Sequence, residues 1–66
     1  MHNVIGEFAG KIWHYLDHHG RSSFAQVLKG TKLKQRDADR GVGWLAREGK
    51  IRLEKDKNAE MLSLIK

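Results

Sequence analysis

The sequence predicts a mainly α domain with a small β hairpin, and three observations predict it. Apolar residues recur at helical spacing as far as Glu48. Gly20, Gly30 and Gly49 punctuate that pattern, and from Ile51 onward apolar and polar residues alternate instead.

The first helix is expected over residues 4–19. Ile5, Phe8, Ala9, Ile12, Tyr15 and Leu16 fall on one face at i, i+3, i+4, i+7 spacing, with Asn3 as a candidate cap. Gly20 should stop it, and His18 and His19 suit a last turn whose free carbonyls favour positive charge. A second, short helix follows, capped by Ser22 or Ser23, with Phe24, Val27 and Leu28 on one side and Gly30 as its end. Leu33, the lone apolar residue of "TKLKQ", reads as a turn residue dropped into the core.

The third helix is expected from about Gln35 to Glu48. At about 100° per residue its inward stripe is Ala38, Val42, Leu45 and Ala46, and its outward stripe is Arg36, Arg40, Gly43 and Arg47, with Trp44 beside it. Ile51 and Leu53, then Leu62 and Leu64, alternate with polar neighbours as two strands, and Asp56 to Ala59 is the turn between them. A very short strand near Arg21 to Ser23 would complete the sheet. Three helices with a turn between the second and third, followed by a hairpin, form the plan of a winged helix-turn-helix: a three-helix bundle plus a two- or three-stranded antiparallel wing. One such domain over residues 1–66 accounts for the whole chain.

Composition narrows the functions. A chain of 66 residues without cysteine has no disulfide framework and no cysteine-based zinc staple, so packing alone must hold it. No apolar run approaches the roughly 18 residues of a membrane span, so no membrane partner and a cytoplasmic location are the expectation. The net charge is +5, and all of it arises between Lys29 and Lys57, where ten Lys or Arg face five Asp or Glu. A nucleic-acid surface should therefore be sought in the second half.

Two segments, "IGEFAGKIWHYLDHHG" (Ile5 to Gly20) and "GVGWLAREGKI" (Gly41 to Ile51), carry a resemblance. They resemble the two signature blocks of a small bacterial and archaeal winged helix-turn-helix family described as a domain of unknown function. The matching positions are Gly6, Ala9, Gly10, Lys11 and Trp13 in the first block and Gly43, Trp44, Leu45, Ala46, Arg47 and Glu48 in the second. The start of the third helix, Lys34, Gln35 and Arg36, is more basic than the family pattern. The resemblance implies the fold and a regulatory or binding role.

Two function classes stand. In the first the domain binds double-stranded DNA in transcriptional regulation: Arg36, Arg40 and Arg47 make groove and phosphate contacts, and Lys34, Lys50, Arg52, Lys55 and Lys57 make flanking phosphate contacts. Asp37 and Asp39 oppose it, and Glu54, Asp56 and Glu60 dilute the wing's positive charge. In the second the domain is a homodimer or docks on a protein partner through Gly41, Gly43 and Trp44.

Interior helix glycines each cost about 1 kcal/mol relative to alanine, so their presence needs a reason. One is close packing of the first helix on the third, with Gly41 and Gly43 letting the helices approach and giving room to Trp13 and Trp44, and with Gly6 and Gly10 as a matching pair of small positions on the first helix. That favours a core place for the tryptophans, while Trp44, on a spoke away from Val42, also fits an association surface. His14 and His18 stand at i, i+4, but no third ligand accompanies them, so no metal is expected. His19 is placed nearer the apolar side. Without a cysteine nucleophile, a phosphate-binding glycine loop or a carboxylate pair at useful spacing, no catalytic residue and no cofactor are expected, and the protein reads as a non-enzyme.

Overall fold

A computed structural model describes residues 4–65, with side chains from Gly6 onward. The expected cap at Asn3 and the side chain of Ile5 lie outside the described residues. The element order is α1 (Val4–His19), β1 (Ser22–Ser23), α2 (Phe24–Thr31), α3 (Gln35–Arg47), β2 (Ile51–Asp56) and β3 (Ala59–Leu64). The three strands form an antiparallel sheet in the order β1-β3-β2. This is the winged helix plan, including the short third strand.

Helix boundaries follow from local chemistry. At the end of α1, Gly20 takes φ 77 and its N–H donates to the Leu16 carbonyl 2.7 Å away, an arrangement a side chain would strain. Ser23 caps α2 in a reciprocal box: its Oγ accepts from the Gln26 N–H, and the Gln26 side chain accepts from the Ser23 N–H. Ser22 is buried, and its hydroxyl donates to the Gly20 carbonyl. The end of α2 departs from the sequence expectation. Gly30 stays helical, and the Tyr15 ring occupies the place where its Cβ would project, so packing and not a helix stop requires the glycine. Lys32, at φ 60, closes the helix with its N–H on the Leu28 carbonyl. The helix-turn-helix turn is thus Lys32, Leu33 and Lys34.

Past α3, the Gly49 N–H donates to the Ala46 carbonyl and the Lys50 N–H to the Leu45 carbonyl, with Gly49 at φ 70. That pair of bonds is a Schellman cap, and it turns the chain directly into β2. The hairpin closes on the pair Asp56 and Ala59, so its loop is Lys57 and Asn58, with Lys57 at φ 57.

The core is small and aliphatic. Ile12 and Leu16 of α1, Val27 of α2 and Leu62 of β3 are its largest fully buried side chains, each worth about 1.5–3 kcal/mol of transfer free energy. Ala9, Ala38, Val42, Leu45 and Ile51 complete it, while Trp13, Tyr15, Phe24 and Leu33 pack around its edge. The most extensive helix packing is α1 on α3, which leaves the opposite side of α3 in solvent.

Candidate nucleic-acid interface

The side of α3 away from α1 carries Arg36, Arg40, Gly43 and Arg47, all exposed. Spacings of four, three and four residues hold them within a narrow sector of the helix, and the row runs about 16 Å along its axis. Among the described residues none of these arginines is held in an ion pair; the ion pairs given for this part of the molecule belong to Arg21. A Cβ on Gly43 would meet nothing within 4 Å, so the middle of the row is bare backbone open to solvent. Asp39 is exposed on one flank of the row, and Asp37 is half-buried on the other.

Lys34 precedes the first turn of α3 as its N-cap and offers no side-chain hydrogen bond to it. It is exposed beside Arg36, which extends positive charge to that end of the row.

The wing cations do not form one patch. Strand register puts Arg52, Glu54 and Asp56 on one face of the hairpin, opposite Ser63, Met61 and Ala59. Lys55 lies on the other face, directly across from Glu60, and Lys57 stands at the tip. Both carboxylates of the first face are paired. Arg21 lies 3.7 Å from Glu54 through Nε and 3.9 Å from Asp56 through a terminal nitrogen, reaching them across β3. Composition assigned Arg21 to the half of the chain without net charge. Only the strand order shows that it offsets the acids of the wing.

One of the residues expected on a protein interface changes place. Gly41 is buried: a Cβ there would stand 2.8 Å from Ile12 Cδ1 and 3.0 Å from the Ala9 backbone nitrogen, so it is the crossing point of α3 on α1 and cannot line a surface. Trp44, which the sequence leaves open between core and interface, is 37% exposed. Gly43 remains at the surface, but on the arginine row. Gly10 does not serve the helix crossing either, since a Cβ on it would meet nothing within 4 Å. Lys50, expected as a flanking phosphate contact, is exposed just past the end of α3, and with Trp13 and Trp44 it lines a groove of about 330 Å³ between α1 and the end of α3.

His14 and His18 are exposed, and His14 presents an edge to the Trp13 ring at 5.6 Å. His19 stacks on Tyr15 with centroids 4.3 Å apart. Among the described residues no group of three or more His, Cys, Asp or Glu is placed to hold a metal ion, and no helix is long and apolar enough to cross a membrane.

Comparison with known proteins agrees with this architecture. The chain is 37% identical over 67 aligned residues to the uncharacterized protein MJ1608 of Methanocaldococcus jannaschii, covering 97% of this chain and 94% of that one. Its fold is similar to the solution NMR structure of protein BT2368 from Bacteroides thetaiotaomicron, with a TM-score of 0.83 at 30% identity over 92% of this chain and 74% of that one. The family model "Winged helix-turn-helix domain (DUF2582)" matches residues 1–64. With three helices and a three-stranded wing in the required order, the chain belongs to this winged helix-turn-helix family.

Proposed function

We propose that this domain binds double-stranded DNA through the outer face of α3 and serves transcriptional regulation. The observation that carries the reading is the row Arg36, Arg40 and Arg47, exposed and unpaired among the described residues, on the helix that follows the turn of a helix-turn-helix. Guanidinium groups at such positions can fork onto guanine edges in the major groove or onto phosphates. The open backbone at Gly43 lets a groove wall approach between them.

Lys34 adds a phosphate contact at the start of α3, and Arg52, Lys55 and Lys57 add others from the wing. Three or four neutralised phosphates give a salt slope of about −3 in log affinity against log salt, so one copy binds weakly and electrostatically.

Fluorescence anisotropy of a labelled duplex tests this. Replacing Arg36, Arg40 and Arg47 together by alanine should abolish binding at moderate salt while leaving the fold intact. Unchanged binding by the triple variant overturns the assignment of α3.

A further inference from the structure

The groove between α1 and the end of α3 plays no part in the DNA reading, and its composition is unusual for so small a domain. Both tryptophans of the chain line it, together with Gly6, Gly10 and Lys50. Two indoles near each other are ordinarily drawn into a core, because their burial is worth more than that of any other side chain. Here Trp13 is half-buried and Trp44 is 37% exposed.

Gly10 sharpens the point. Within α1 it costs helix stability relative to alanine. Gly41 and Gly30 have neighbours that occupy the place of the missing Cβ, whereas a Cβ on Gly10 would meet nothing within 4 Å. Internal packing therefore does not require glycine at this position. Its effect is to leave bare backbone in the lining of the groove.

The charge of the lining is one-sided. Among the described residues that line the groove there is no carboxylate, and Lys50 is its one lysine or arginine, with no ion-pair partner among the described residues. The backbone of Lys50 is fixed by the cap of α3, since its N–H is bonded to the Leu45 carbonyl, so its side chain starts from a defined point at the rim. A volume of about 330 Å³ lies at the small end of the range for small-molecule sites.

We infer that this groove is a binding site for a small planar aromatic carboxylate, whose ring lies against Trp13 and Trp44 over Gly10 and whose anionic group pairs with Lys50. Aromatic faces supply ring contact, and the ammonium selects an anion over a neutral or cationic analogue. The site adjoins the arginine row at Trp44, which also borders Arg47, but Trp13, Gly10 and Lys50 lie outside that row.

The test is a heteronuclear NMR titration of the labelled domain with 2-naphthoate, and with 2-naphthylmethanol and cyclohexanecarboxylate as controls for charge and ring. Expected are shifts of both indole N–H signals and of the Gly10 amide at millimolar naphthoate, with each control weaker by about fivefold or more. Lys50→Gln should weaken naphthoate to the level of the neutral analogue. Gly10→Leu should abolish the shifts while its spectrum stays dispersed, because its side chain fills the groove without meeting another residue at Cβ. Absent shifts in the folded domain overturn the proposal. So do equal affinities for naphthoate and the alcohol, unchanged binding by Gly10→Leu, or shifts confined to Arg36, Arg40 and Arg47.

Discussion

Gly41 of α3 lies directly on Ala9 of α1, so closely that a Cβ on the glycine would stand 3.0 Å from the Ala9 backbone nitrogen. Backbone cannot withdraw as a flexible side chain can, and Ile12 Cδ1 blocks the same volume at 2.8 Å. Gly41→Ala should therefore destabilise the domain by about 1–3 kcal/mol despite alanine's better helix propensity. Urea denaturation monitored by circular dichroism measures it. An unchanged midpoint would show that the helices separate at no cost.

Gly43 sits two residues further along the same helix and predicts the opposite sign. Its Cβ direction is open, so Gly43→Ala should stabilise the fold by about 0.5–1 kcal/mol. On the DNA reading the more stable variant gains no affinity for duplex, because the added methyl stands in the middle of the arginine row. Thermal denaturation and anisotropy on the same sample separate the two effects. A variant that binds more tightly would place DNA elsewhere.

Lys32 holds a left-handed conformation in the turn between α2 and α3, which costs a non-glycine residue roughly 1–2 kcal/mol. Lys32→Gly should recover part of this, about 0.5–1 kcal/mol after allowing for the greater freedom of glycine in the unfolded chain. Its chemical denaturation midpoint should rise. A fall would mean that the lysine side chain makes a contact worth more than the strain.

Arg21 offsets Glu54 and Asp56 on the outer face of the wing. Both pairs are solvent-exposed, so Arg21→Ala should cost less than about 1 kcal/mol of stability. The larger consequence is for DNA: replacing the two acids, Glu54→Gln with Asp56→Asn, removes like charge facing phosphate and should strengthen duplex binding severalfold at low salt. Urea denaturation checks the first and anisotropy across a salt series the second. Identical affinities for wild type and the double variant would remove the wing from the interface.

The main elements were legible because their signals are local. Helical spacing from Phe8 to Leu16, the glycine stops at 20 and 49, and the alternation after Ile51 each depend on a few neighbouring residues. What sequence reading missed depends on a second element. Two readings of Gly41 are open in the sequence, close approach of α1 or a protein interface, and only its position against Ile12 and Ala9 selects the first. Gly30 looked like a helix end, but the Tyr15 ring uses its missing side chain and the helix runs on to Thr31.

The size of Trp44 points toward the core and its direction on α3, beside the arginine row, points outward; the structure leaves it partly in solvent. The same holds for charge. Alternation after Ile51 puts Arg52 and Glu54 on one face and leaves Asp56 to the turn, but that Arg21 meets Glu54 and Asp56 follows only from the strand order β1-β3-β2. The gathering of Trp13, Gly10, Trp44 and Lys50 around one groove likewise needed the packing of α1 on α3.

The central claim is that the exposed face of α3 is the DNA surface, and a heteronuclear NMR titration of the isotopically labelled domain with a random-sequence duplex at low and moderate salt tests it most directly. The account predicts that amides from Lys34 to Arg47 shift together with those of the wing from Arg52 to Lys57, and that the shifts shrink as salt rises. A spectrum that does not move at low salt and high duplex concentration, or shifts confined to α1 and α2, would contradict it.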